Sequence, residues 1–148
     1  MSELEFTAGE LAAVCAHEAG HFLFAVKAGA EIVRVCAWPP EAAEVHCRWP
    51  ARASLLDQAA FAVAGVVAEQ LLGFPARCDP ARPPGPDGDD LARYVAGGIC
   101  APVAVLLARG TLAMYRAELA LVASSLADQP RQGPFAFAAT VRAASERR

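Results

Sequence analysis

The 148-residue chain is short of several features that would have settled its class at once. It has no C-x-x-C pair, and its cysteines number five: Cys15, Cys36, Cys47, Cys78 and Cys100. An odd, scattered set excludes a zinc ribbon and argues against a disulfide framework, leaving reduced, buried thiols and a cytoplasmic location as the expectation. Basic charge is not in excess. The formal charge is −3, whereas a nucleic-acid binder would normally carry a basic face or stripe, so no nucleic-acid partner is expected. No uninterrupted apolar run reaches the roughly 18 residues of a membrane span. The stretch from Ala8 to Gly29 is broken by Glu10, His17, Glu18, His21 and Lys27, and Pro102 interrupts the shorter run from Gly97 to Ala108. The acidic start, Met1-Ser2-Glu3-Leu4-Glu5, is unlike a secretory leader. No G-x-x-x-x-G-K-[ST] occurs, which leaves no P-loop for ATP.

What the chain has is apolar substance. Hydrophobic residues make up 55%, enough for a single domain over residues 1–148 with a real core. Thr7 and Glu10 form a capping-box pattern ahead of a helix from about Ala8 to Ala28, stopped by Gly29. The segments Glu31–Cys36 and Ala43–Trp49 alternate polar and apolar residues around Pro39-Pro40 and read as a small β-hairpin. Ser54 and Asp57 open a second helix, about Leu55 to Leu72, closed by Gly73. A proline-rich loop is expected over Pro75 to Gly88, with Asp87-Gly88-Asp89-Asp90 leading into a third helix from Leu91 to about Gly97. A further helix is expected over Thr111 to Ala127, and a last short one after Pro134. The pattern is mainly α, with one hairpin between the first two helices.

The chemistry concentrates in His17-Glu18-Ala19-Gly20-His21. Histidines at i and i+4 share a helix face, and two neutral imidazoles at that spacing suit Zn2+. Glu18 then stands beside the ion, where a general base must sit to take a proton from activated water. Gly20 would allow close backbone packing or room for substrate. An open zinc site takes a third protein ligand, and the residues offer three candidates: His46 on a strand, Glu69 in the second buried helix, and Asp90 at the start of the third. An intramembrane zinc protease would also pair H-E-x-x-H with a late aspartate, and Pro86-Asp87-Gly88 is superficially similar to its second motif. The charged, interrupted segments argue against that reading.

Three segments in order resemble one family. Val14-Cys15-Ala16-His17-Glu18-Ala19-Gly20-His21 is similar to the HEAGH helix of the FtsH proteases. Ala64-Gly65-Val66-Val67-Ala68-Glu69-Gln70-Leu71-Leu72-Gly73 resembles that family's AGxxAE helix, and Gly88-Asp89-Asp90-Leu91-Ala92-Arg93 its aspartate-led step into a helix. The resemblance implies a helical zinc-peptidase domain without its ATPase. It implies His17, His21 and Asp90 as metal ligands, Glu18 as base, and Glu69 as a residue that orients a ligand histidine. The activity implied is hydrolysis of peptide or unfolded-protein substrates. The alternative is a non-catalytic descendant that binds metal or peptide as an adaptor. A homo-oligomer is possible through the apolar C-terminal half, including Phe135-Ala136-Phe137.

Overall fold

A computed structural model describes residues 8–37 and 43–128. They form five helices and one hairpin, in the order α1 (Ala8–Lys27), β1 (Glu31–Cys36), β2 (Glu44–Arg48), α2 (Leu55–Leu71), α3 (Gly85–Ala96), α4 (Ala101–Met114) and α5 (Arg116–Asp128). The mainly helical class with a hairpin between the first two helices is the one the sequence pattern indicates. None of the described helices is long and apolar enough to cross a membrane.

The two buried helices have ends written into the sequence. The Ser54 hydroxyl accepts the Asp57 N–H at 3.0 Å and opens α2. Gly29 and Gly73 hold φ of +88° and +89° at the far ends of α1 and α2, a conformation that costs glycine little. Each then forms the same paired closure. Ala30 N–H donates to Ala25 and Gly29 N–H to Val26 after α1, while Phe74 N–H donates to Glu69 and Gly73 N–H to Gln70 after α2.

α1 packs against α2 on one side and α5 on the other, while α4 and α3 pack on α2. Phe24, Val63, Val67, Leu112, Leu119 and Val122 fill the core between them. α1 and α2 approach closely because Gly20 lacks a side chain. A Cβ there would lie 2.4 Å from the Ala64 carbonyl oxygen and from the Ala68 Cβ. β1 and β2 pair antiparallel, with an irregularity between Ile32 and Arg34.

Three elements differ from the sequence expectation. α3 begins at Gly85, six residues before Leu91, so Asp87 to Asp90 lie inside the helix rather than before it. Pro86 falls in the first turn, where a missing N–H breaks no helical hydrogen bond and the fixed φ suits a helix. The proline-rich composition thus marks a helix start as well as a loop. Thr111 to Met114 belong to α4, and the chain breaks at Tyr115 before α5, with neither glycine nor proline at the break. Thr7, Pro39-Pro40, the helix expected after Pro134 and Phe135-Ala136-Phe137 lie outside the described residues.

Candidate metal centre

His17 and His21 occupy successive turns of α1, and their imidazole rings meet edge to face with centroids 4.8 Å apart. Each ring has one nitrogen tied to an acceptor from α2. Nδ1 of His17 is 2.7 Å from Glu69 Oε2. Nδ1 of His21 is 2.8 Å from the Phe61 carbonyl oxygen. A carbonyl can only accept, so Nδ1 of His21 carries the hydrogen. In the neutral imidazole its Nε2 is then a bare lone pair, and the Glu69 carboxylate imposes the same tautomer on neutral His17.

The two Nε2 atoms point at each other, 3.1 Å apart. Asp87 Oδ2 lies 2.9 Å from Nε2 of His17 and 3.2 Å from Nε2 of His21. Three electron-pair donors therefore converge on one small volume. With both rings neutral no hydrogen stands between them, and either a proton on His17 or a bound cation would reconcile them. Zinc bonds of about 2.0–2.1 Å at tetrahedral angles would place ligand atoms roughly 3.3 Å apart. The observed separations of 2.9, 3.1 and 3.2 Å fall a few tenths of an ångström short of that, so the three residues fit the ion with a small outward adjustment.

The charges respond to this crowding. Burial works against a charged His17, but hydrogen bonds to Asp87 and Glu69 outweigh it and hold its pKa up to about 9. Without a metal a proton therefore occupies the place a cation would take. Burial likewise opposes a charged Asp87, yet the two imidazoles hold its carboxyl well below the usual carboxylate range. Glu18 is buried beside them, and burial pushes its pKa up even though His21 and His17 pull it down. A carboxylate with a raised pKa next to a cation site is suited to taking up a proton.

Asp87, not Asp90, meets the two histidines. Because α3 starts at Gly85, Asp87 lies in its first turn and Asp90 a turn further on. Asp90 lines the same cleft but is about half exposed and ion-paired with Arg93. Gly88 brings the turn close to the loop before it, since a Cβ there would lie 2.0 Å from the Pro83 carbonyl oxygen. The carboxylate that meets the histidines thus stands three residues N-terminal to Asp90, the one the sequence pointed to. The local signal for it was Pro86-Asp87-Gly88, a proline able to open a helix followed by a carboxylate in the first turn. His46, on β2, is exposed and takes no part. Glu69 does not join the convergent group. It accepts from His17, and its carboxylate is held from behind by Arg77, a residue with no motif to announce it. Arg77 Nε donates to Oε1 at 2.8 Å and Nη2 to Oε2 at 2.8 Å. The 3.4 Å approach of Arg77 Nη2 to His17 Nδ1 is two donors sharing one acceptor oxygen, not a bond between them.

A cleft of about 390 Å3 opens on the centre. It is lined by Ala43, Glu44 and Val45 of the hairpin, Phe61 and Val66 of α2, and Pro84 and Pro86 at the start of α3. A second groove of about 370 Å3 shares His17, Glu18, Ala43 and Arg77 with it and runs on past Glu10 and Val14. No protein-family model, curated protein or solved structure matches the chain.

Proposed function

We propose that this protein is a zinc-dependent metallopeptidase-type domain, with His17, His21 and Asp87 as the protein ligands. The observation that carries the reading is the convergence of Asp87 and two imidazoles whose other ring nitrogens are already committed to Glu69 and Phe61. A bound Zn2+ supplies a Lewis acid that acidifies water and polarises a carbonyl oxygen. The remaining work belongs to the chain. Glu18, next to His17 and facing both grooves, takes the proton from water and delivers it to the departing amine. The hairpin wall and the continuous run of the two grooves across His17 and Glu18 suit an extended peptide better than a compact small molecule. Three ligands beside an accessible cleft favour an open, reactive coordination over the closed four-ligand arrangement of a structural site.

The FtsH-like order of the three sequence segments supports the same chemistry, with Asp87 in the role that the resemblance gives to Asp90. Processive, ATP-driven proteolysis is not part of the proposal.

Glu18→Gln separates metal binding from catalysis. The amide is close in size but cannot accept a proton. The variant is expected to retain its zinc and lose peptide hydrolysis by at least about 100-fold, the lower end of a general-base contribution. Full turnover in the glutamine variant would remove Glu18 from the mechanism.

A further inference from the structure

Building on the metal reading above, we propose that Arg77 is the positioning residue for His17, acting through Glu69 to hold the imidazole in its metal-ready orientation. Glu69 lies in the last turn of α2, which the closure at Gly73 fixes by the Phe74 N–H to Glu69 carbonyl bond. Its side chain is almost fully buried, at 5% exposure. A carboxylate in such a place needs its oxygens satisfied. Arg77 satisfies both with a two-point clamp, and His17 Nδ1 donates to Oε2 as well. Planar guanidinium geometry makes that clamp directional, so the plane of the carboxylate is set by the arginine. The carboxylate plane in turn sets the ring of His17.

The other side of the ring is equally confined. A Cβ at Gly65 would lie 2.5–2.6 Å from Nε2, Cδ2 and Cε1 of His17, so the imidazole lies directly against the backbone of α2. With the glycine on one side and the Glu69–Arg77 pair at Nδ1, the ring is held with Nε2 towards His21 and Asp87. His21 is held by a backbone carbonyl and needs no such device. The control therefore acts on one ligand, through a residue in the loop between α2 and α3.

Two effects of removing Arg77 oppose each other. A nearby positive charge disappears, which favours a metal cation. The Glu69 carboxylate loses its anchor, which frees His17 to turn. The guanidinium is half exposed and already neutralised by Glu69, so its direct repulsion of the ion is screened. Loss of orientation is the larger effect.

The test compares Zn2+ dissociation constants of the full-length wild type, Arg77→Met, Arg77→Lys, Glu69→Gln and the Arg77→Met/Glu69→Gln pair, by competition with a chromophoric chelator. Unfolding of the metal-free proteins and the visible spectrum of the Co2+-loaded proteins are recorded in parallel. Arg77→Met is expected to weaken Zn2+ binding about 10–100-fold, the usual loss for a partner of a metal-bound histidine. Arg77→Lys should resemble it, since one ammonium cannot span both oxygens. The double variant should be no worse than the weaker single one, because both changes break one chain of contacts. The Co2+ spectrum should change in Arg77→Met. An unchanged or tighter Zn2+ dissociation constant in Arg77→Met, or full recovery by lysine, overturns the proposal. So does a drop in metal-free stability with no change in affinity, which would make Arg77 only a loop anchor. A wild type that binds no Zn2+ fails in a different way: it overturns the metal reading itself.

Discussion

Asp87 and Asp90 are three residues apart on one helix and face one cleft, yet only Asp87 touches both imidazoles. Asp87→Ala should therefore weaken Zn2+ binding by more than the roughly 10–100-fold expected of an outer partner. Asp90→Ala should leave the affinity within a few-fold, because it removes an exposed ion pair with Arg93. Chelator competition on the two variants decides the assignment, and a larger loss in Asp90→Ala would reverse it. The histidine pair, Glu18 and Glu69 were legible in the sequence because local spacing carries them: i and i+4 on one helix, and a lone glutamate in an apolar run. Arg77 and Asp87 were not. Arg77 acts through Glu69 only eight residues earlier, but no motif marks it, and Asp87 meets His17 across 70 residues of chain, for which Pro86-Asp87-Gly88 signals a helix start and not a partner.

At the scale of elements, two glycines on facing helices protect different things. In Gly20→Ala the new methyl meets backbone of α2, which cannot swing aside, so α1 and α2 must part. A loss of about 1–3 kcal/mol in urea unfolding is expected, as for other overpacked cores. In Gly65→Ala the atoms nearest the methyl all belong to the ring of His17, a side chain that can move at the expense of its bonds to Glu69 and Asp87. That variant should lose much of its metal affinity while losing less stability than Gly20→Ala. Equal effects of the two on both measurements would mean that the glycines serve packing alone. The same scale shows where sequence reading succeeds. α1 and α2 were placed to within a residue or two because glycine stops and a serine cap mark their ends, and the hairpin because its segments alternate polar and apolar residues. The start of α3 was missed because proline and glycine signal loops and first helical turns alike. The α4–α5 break at Tyr115 was missed because no breaker residue stands there.

For the molecule as a whole, two thiols resist ionisation, Cys15 in the core and the partly buried Cys47 on β2. Cys15 is fully buried, and burial pushes its pKa up to about 11; burial does the same to Cys47. In the unfolded chain both would ionise near 9.0. Between those values the folded state binds more protons than the unfolded one. The stability that these two thiols contribute is therefore complete below about pH 9 and lost as pH rises through about 11. Replacing both with alanine or serine should flatten the alkaline fall in denaturant midpoint between those values. An identical fall in the double variant would assign it to other groups. Zinc should act on the same equilibrium from outside: an ion that binds only the folded chain raises its apparent stability as the ion concentration exceeds the dissociation constant.

If α1, α2 and α3 together build one metal centre, the zinc content of the purified protein reports it. Elemental analysis of the purified chain, reloaded with one equivalent of Zn2+ after exhaustive dialysis against metal-free buffer and then freed of unbound ion by gel filtration, should give about one zinc per chain for three ligands closing on one ion. The His17→Ala/His21→Ala variant should give essentially none. Undiminished zinc in that double variant, or none in the wild type, would rule out a zinc centre on these histidines.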